Sequence, residues 1–363
     1  MRGPRRLILA GAGHAHVEVL RRLAIAPLRD VETVLVSDRT HSVYSGMVPG
    51  YAAGQYQRAE IEVNVEALAL RAGVRWIHGR VMGVDPHRRQ VLVAGETALD
   101  YTVASLDVGA SVAAMDRPGV TSHALPARPI GRLVDRLQAS LPGPIAVVGA
   151  GAAGVELACC LQHRARQRGA PRVATHLIEA GPRILNDAGR SLRDAAERAL
   201  RERDIAVSCD APVARVDAEG VVLAEGRRVE AALVAWVTGA APHASLEVSG
   251  LPLDAAGFIQ VEPTLEVTGL AGLFAAGDCA SLPGVPKAGV HAVRQGPILD
   301  TNLRARLRGT PLQPYAPQRE FLRILNLGDG SAIASKWGIT FRGPLAMRLK
   351  DRIDRAWLSR YQA

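Results

Sequence analysis

The chain has 363 residues, 48% of them hydrophobic and 22% charged, with 36 glycines; this suits a globular α/β protein with room for two or three cores and excludes a fibrous or disordered one. The formal charge is +9, from 44 basic against 35 acidic residues, almost all the basic ones arginine, and no basic stretch is interleaved with stacking aromatics, so nucleic-acid binding is not expected. No apolar run reaches the roughly 18 to 20 residues that cross a bilayer, and the apolar run after the basic start is too short for a signal peptide, which predicts a cytoplasmic protein.

In chain order, "LILAGAGHAHVEVL" (Leu7–Leu20) predicts a strand, a tight turn with Gly11 and Gly13, and a helix. The dinucleotide fingerprint asks for a third glycine or an alanine where this chain has His16. Both phosphate-side glycines are present, and the absent one only packs helix on strand, so a nucleotide site is still expected. His14, nearer the phosphates, is a candidate cofactor contact. His16 is a candidate for filling a widened helix–strand gap. The two do not share a helix face, so no metal pair is expected. "VETVLVSDR" then predicts a second strand, ending at Asp38.

The same pattern returns at Pro144–Leu161, "GPIAVVGAGAAGVELACCL", with the complete fingerprint Gly149, Gly151 and Gly154. "RVATHLIEAG" closes the next strand on Glu179. Two βαβ units predict two nucleotide folds in one chain. A carboxylate at Glu179 accepts from a ribose 2′-hydroxyl and repels a 2′-phosphate, which favours NADH over NADPH, with Arg183 nearby to soften the preference. Further on, "GLFAAGDCA" reads as a buried strand ending in Gly277–Asp278.

"REFLRILNLGDGSAIASKWG" predicts two strands around a Gly-Asp-Gly turn, and the last twenty residues predict a helix. Leu345, Leu349, Ile353, Trp357 and Tyr361 recur every four residues, with Arg348, Lys350, Arg352, Arg355 and Arg360 at other positions. That reads as a basic amphipathic helix facing a membrane surface, the protein's own first domain or a homodimer partner. The cysteines, Cys159, Cys160, Cys209 and Cys279, have no C-x-x-C or zinc spacing and read as small buried residues.

Five features in order, the Gly11–Gly13 loop with Asp38, "SLDVGA" (Asp107, Gly109), the Gly149–Gly154 loop, "VAWVTGAAPH" (Thr238, Gly239) and Gly277–Asp278, resemble the pyridine nucleotide-disulfide oxidoreductase family over about Leu7 to Asn302. Within it the chain is similar to type II NADH dehydrogenase-like flavoproteins. It is especially similar to a branch often fused ahead of a selenophosphate synthetase, through "GAGHAHVEVL", "YSGMVPGYAAG", "KAGVHAVRQG" and "KDRIDRAWLSRY". The resemblance implies an α/β fold of two Rossmann-like domains. The FAD-binding domain is discontinuous (1–118 and 245–310), with an NAD(P)H-binding domain (119–244) inserted. Residues 311–363 form a C-terminal hairpin and amphipathic helix.

To FAD the resemblance assigns Gly11, Gly13, His14, His16, Asp38, Arg39, Val81, Asp107, Gly109, Gly277, Asp278 and Lys287, with Tyr44 to Pro49 bordering it. To NADH it assigns Gly149, Gly151, Ala153, Gly154, Glu156, Glu179, Thr238 and Gly239. It implies stacking of nicotinamide on flavin and hydride transfer to flavin N5, for which the protein supplies alignment. Lys287 is then expected near flavin N1–C2=O, or else as a solvated surface lysine. His291 and Gln295, one turn apart, are expected to line the acceptor pocket, or else to pack their helix. Glu156 is expected near the nicotinamide, or else as a first-turn helix acid. The C-x-x-x-x-C pair of the disulfide reductases is absent from "DRTHSVYSGMVPG", so no thiol relay is expected. A small acceptor remains, a quinone first. The alternatives are a selenium- or sulfur-linked acceptor, and an FAD/NADH-binding redox-responsive interaction protein.

Overall fold

The computed structural model describes residues 5–95, 98–138, 143–167, 173–243, 246, 249–318 and 320–362. Two five-stranded parallel sheets organise these residues. In the first, the strand order is Leu273–Ala275, Val103–Leu106, Arg5–Ala10, Val31–Ser37, Arg75–His78. In the second it is Ala124–Pro126, Leu233–Trp236, Ile145–Val148, Thr175–Ile178, Ala206–Ser208. The central strands are continuous apolar runs, as strands covered on both faces must be; Ile8, Leu9, Ile145 and Val147 are wholly enclosed. Each central strand leads through a glycine loop into a helix, His14–Ile25 in the first unit and Ala152–Gln167 in the second.

Leu273–Ala275 follows the whole second sheet in sequence yet pairs with Val103–Leu106 of the first. The chain therefore leaves the first sheet and comes back to it. Where it crosses, Ser111–Val112 pairs antiparallel with Ala240–Ala241. Residues 244 and 245, between which the sequence puts the return, lie outside the described residues.

The C-terminal region holds three antiparallel strands, Arg323–Asn326, Ala332–Lys336 and Ile339–Gly343, rather than the two expected. The extra strand exists because Trp337 and Gly338 both take positive φ, +53° and +76°, the requirement for a two-residue hairpin turn. A tryptophan in that role gave no turn signal in the sequence. The final helix spans Pro344–Gln362. Its fourfold apolar recurrence does not form one face. A step of four residues overshoots a full turn by about 40°, so Leu345 and Tyr361 end on nearly opposite sides. Leu345, Leu349 and Ile353 are 70%, 38% and 44% exposed, whereas Trp357 and Tyr361 are 8% and 2% exposed. The inner face docks on the first unit. Trp357 stacks on Tyr44 at 4.2 Å between centroids, and the Tyr361 hydroxyl donates to Glu18. Lys350, one of the basic residues of that pattern, is on this inner face and buried. Among the described residues no helix is long and apolar enough to cross a membrane.

Candidate active site

The two glycine loops are built alike up to the third fingerprint position. Gly11 and Gly149 have φ of +95° and +102°, and a Cβ on either would lie 2.4 or 2.5 Å from the carbonyl oxygen of Asp107 or Val237 in the neighbouring strand end. Only glycine fits both the turn and that approach. At the third position the loops diverge. A Cβ on Gly154 would sit 1.8 Å from Gly149 O. Its counterpart His16 places ring Nδ1 2.7 Å from Gly11 O, the equivalent carbonyl. A carbonyl can only accept, so Nδ1 carries the proton and Nε2, 2.8 Å from Ser105 Oγ, accepts from the hydroxyl. The imidazole is fully buried and held down at about 4 by that burial. It fills the gap behind the loop as a neutral ring, bonded on both nitrogens within the protein.

Asp107 stands inside the first loop. Its Oδ2 accepts from the N–H groups of Ala15 and His16 at 2.9 and 3.0 Å, so a strand-end carboxylate caps the helix that follows the loop. Burial pushes this carboxyl up to about 7, against the two N–H groups, which favour its anion. Gly13 and Gly277 close over it: a Cβ on either would lie 2.2 or 2.5 Å from Asp107 Oδ1. Asp107 therefore shapes the loop from beneath. Gly109, at φ +73°, has open space where a Cβ would stand.

Asp38 follows the second strand directly, half-exposed and 3.5 Å from Arg80 Nε. The Arg39 guanidinium lies across Gly131, where a Cβ would meet it at 1.9 Å. Val81 opens the strand Val81–Asp85 next to them. In the second unit Glu179 faces its glycine loop directly. Its Oε2 accepts from Ala150 N at 2.7 Å and its Oε1 from Gly181 N at 2.9 Å. Gly151 and Ala153 are exposed at the loop's mouth. Thr238 Oγ1 donates to Ala113 O, and Gly239 O accepts from Ala113 N, which fixes the crossover.

Gly277, Asp278, Lys287, His291 and Gln295 line one small cleft. Gln295 Oε1 accepts from Gly277 N at 2.7 Å; its amide holds the Gly277–Asp278 turn from the cleft wall. The Lys287 ammonium lies 4.0 Å above the Phe258 ring and donates to Ala280 O; burial lowers its pKa. His291 is 3% exposed, with Nδ1 3.1 Å from the Tyr315 hydroxyl and Nε2 without a partner. A buried orphan nitrogen on a cleft wall calls for a partner that a bound group can supply. Arg128, which the sequence reading missed, pairs with Asp278 at 2.9 Å across 150 residues of chain.

Glu156 lies in a different cluster. Its carboxylate accepts from Asn326 N at 2.8 Å, and burial pushes it up to about 7 against the pull of Lys350. Lys350 donates to Gly46 O and Asp354 Oδ2, both at 2.7 Å. Asp354 Oδ1 accepts from the Tyr44 hydroxyl. The His14 ring stacks on Trp357 at 5.5 Å and faces Ser45 N; burial holds the imidazole down at about 4, opposed by the Asp278 charge. Lys350 and Asp354 were missed as site residues. The available signal was a rare lysine followed four residues later by an acid.

The four cysteines are unpaired, and burial pushes the Cys159 and Cys279 thiols up to about 12. Among the described residues no group of histidines, cysteines and carboxylates could hold a metal.

Two glycine-loop βαβ units joined by paired crossover strands define a two-dinucleotide α/β protein. The chain belongs to the pyridine nucleotide-disulphide oxidoreductase family, whose model matches residues 5–296. It is 32% identical over 226 residues to an NADH dehydrogenase-like protein of Mycobacterium tuberculosis, covering 58% of this chain, and it spans only 56% of that relative's length. It is 27% identical to demethylphylloquinone reductase NdbB of Synechocystis, over 87% of this chain and 82% of that one. The fold is that of the sulfide:quinone oxidoreductase from Aquifex aeolicus, with a TM-score of 0.81, 18% identity and coverage of 99% and 91%.

Proposed function

We propose that the protein is an FAD-dependent NADH dehydrogenase that passes electrons to a quinone. The domain plan is an FAD-binding domain of 1–118 and 245–310 with an NAD(P)H-binding domain, 119–244, set into it. FAD, when bound, accepts two electrons from NADH and hands them to the acceptor. The chain's residues position and insulate that exchange. Gly11 and Gly13 let the first loop approach a pyrophosphate, with the start of the helix at His14 as its positive end. Asp278, fixed by Gln295 through Gly277 and balanced by Arg128, is the polar anchor across the cleft. Glu179 stands where a ribose 2′-hydroxyl donates, which favours NADH over NADPH.

The observation that carries the reading is the buried Glu156–Lys350–Asp354 cluster, with Glu156 on the helix that follows the second glycine loop. Burial pushes the Glu156 carboxyl up to about 7, which suits it to supply a proton in quinone reduction. The relatives named for NADH dehydrogenase and quinone reductase support the same chemistry. The outward Leu345, Leu349 and Ile353, with Trp337 and Ile339 each 71% exposed on the last hairpin, suit contact with a membrane, where quinones dissolve. Stopped-flow mixing tests the proposal. NADH should bleach the flavin faster than NADPH does, and a short-chain quinone should restore its colour faster than oxygen. A flavin that NADH cannot bleach, or that quinone cannot reoxidise, refutes it.

A further inference from the structure

The first helix, His14–Ile25, and the cleft helix, Gly289–Arg308, lie so close that a Cβ on Gly296 would sit 2.7 Å from Glu18 Cβ. Their C-terminal halves border an open groove of about 430 Å3 away from the cofactor cleft, lined by Arg21, Arg22, Ile25 and Ala26 from the first helix and its end and by Asp300, Arg304 and Arg308 from the other. Asp300 in its lining and Glu18, the partner of Arg21 and Arg22, are 5% and 4% exposed. Glu18 takes Arg21 on two nitrogens and Arg22 on Nε at 2.7 Å. Asp300 takes Arg304 on Nε, at 2.9 and 3.1 Å from its two oxygens. Arg22 and Arg304 are thus gripped along the Nε edge, leaving their terminal amino groups over. Arg304 Nη2 is enclosed without a hydrogen-bond partner. Arg308 forms no ion pair among the described residues. Four guanidinium groups over two carboxylates leave two positive charges on a concave surface.

We propose that this groove binds a phosphate-bearing ligand carrying at least two negative charges. Guanidinium forks match phosphate oxygens two at a time, and the buried acids hold the forks in place before the ligand arrives. A phosphate bridging Arg22 to Arg304 and Arg308 ties together the two helices that carry Gly13 and His291 at their other ends. The same chemistry is offered by a free diphosphate and by an anionic lipid headgroup. The proposal does not depend on which acceptor takes the electrons.

The test is calorimetric titration and thermal melting of the holoprotein with inorganic pyrophosphate at low salt. Saturable binding and a raised melting temperature are expected, with affinity falling about tenfold in Arg308→Gln and in Arg304→Gln. Arg308 is exposed and has no ion pair among the described residues, so its variant keeps the test valid if Arg304→Gln folds poorly. Flotation with phosphatidylcholine vesicles, with and without phosphatidic acid, separates the sources. Flotation that needs phosphatidic acid and Arg308, and is reversed by pyrophosphate, points to the headgroup. Pyrophosphate binding with Arg308-independent flotation points to a free phosphate. Equal pyrophosphate affinity in wild type and both variants overturns the proposal. So does an absence of pyrophosphate binding with flotation unchanged by Arg308→Gln.

Discussion

Lys350 Nζ lies 2.7 Å from Asp354 Oδ2 on the inner face of the last helix, and the two side chains are 9% and 7% exposed. The pair is anchored on both sides by the first unit, Lys350 through Gly46 O and Asp354 through the Tyr44 hydroxyl. It also faces Glu156 at the start of the second-loop helix. The C-terminal helix therefore ties the first glycine-loop unit to the helix that follows the second loop.

Breaking this pair from one side should cost far more than replacing it whole. Lys350→Met leaves Asp354 and Glu156 without their cation, and unfolding in urea should show a loss of about 3 to 5 kcal/mol. Lys350→Met with Asp354→Leu should recover at least half of that. A double variant as unstable as the single one would show that the pair is not the unit of stability.

Asp107 should make the protein weaken as pH rises. In the unfolded chain this carboxyl ionises near 3.8, and in the folded chain at about 7. The native state holds the extra proton between those values, so stability falls from about pH 4 to pH 7, by on the order of 4 kcal/mol. Asp107→Asn keeps an oxygen for Ala15 N and His16 N and has no charge to bury. Its advantage over wild type should be larger at pH 8 than at pH 5. An equal difference at both pH values would dismiss the claim.

His16 should matter for packing rather than for cofactor contact. His16→Ala removes the partner of Gly11 O and Ser105 Oγ and opens a cavity, with an expected cost of about 2 to 4 kcal/mol. Equilibrium dialysis of FAD under conditions where the variant is fully folded should give an affinity close to wild type. An affinity loss far beyond the loss of stability would return His16 to the cofactor.

The two faces of the last helix should respond oppositely. Leu349→Glu and Ile353→Glu, on the exposed face, should leave the melting temperature nearly unchanged and reduce sedimentation with anionic vesicles. Trp357→Ala, on the buried face, should cost about 3 to 5 kcal/mol. Unchanged vesicle binding in both glutamate variants would remove the membrane from this face.

The two glycine loops were readable because their demands are local. A positive φ at Gly11 or Gly149, and a carbonyl too close for a Cβ, select glycine at fixed spacing after an apolar strand, whatever surrounds them. The acid at Glu179 follows from the same unit length. The last helix was readable as a helix, but not its facing, because a spacing of four drifts around the axis and does not say which part of the drift meets the core.

What the sequence determined by itself is the pair of βαβ units, their glycine turns and the absence of a cysteine pair, each encoded within a few tens of residues. Only the tertiary structure decided that Asp107 caps a helix 91 positions away, that Arg128 balances Asp278, and that Lys350 reaches back to Gly46 across 304 positions. Charges and caps of this kind have no periodicity. Their partners are chosen by which strand ends and helix faces packing brings together, and burial then sets whether each group keeps its proton.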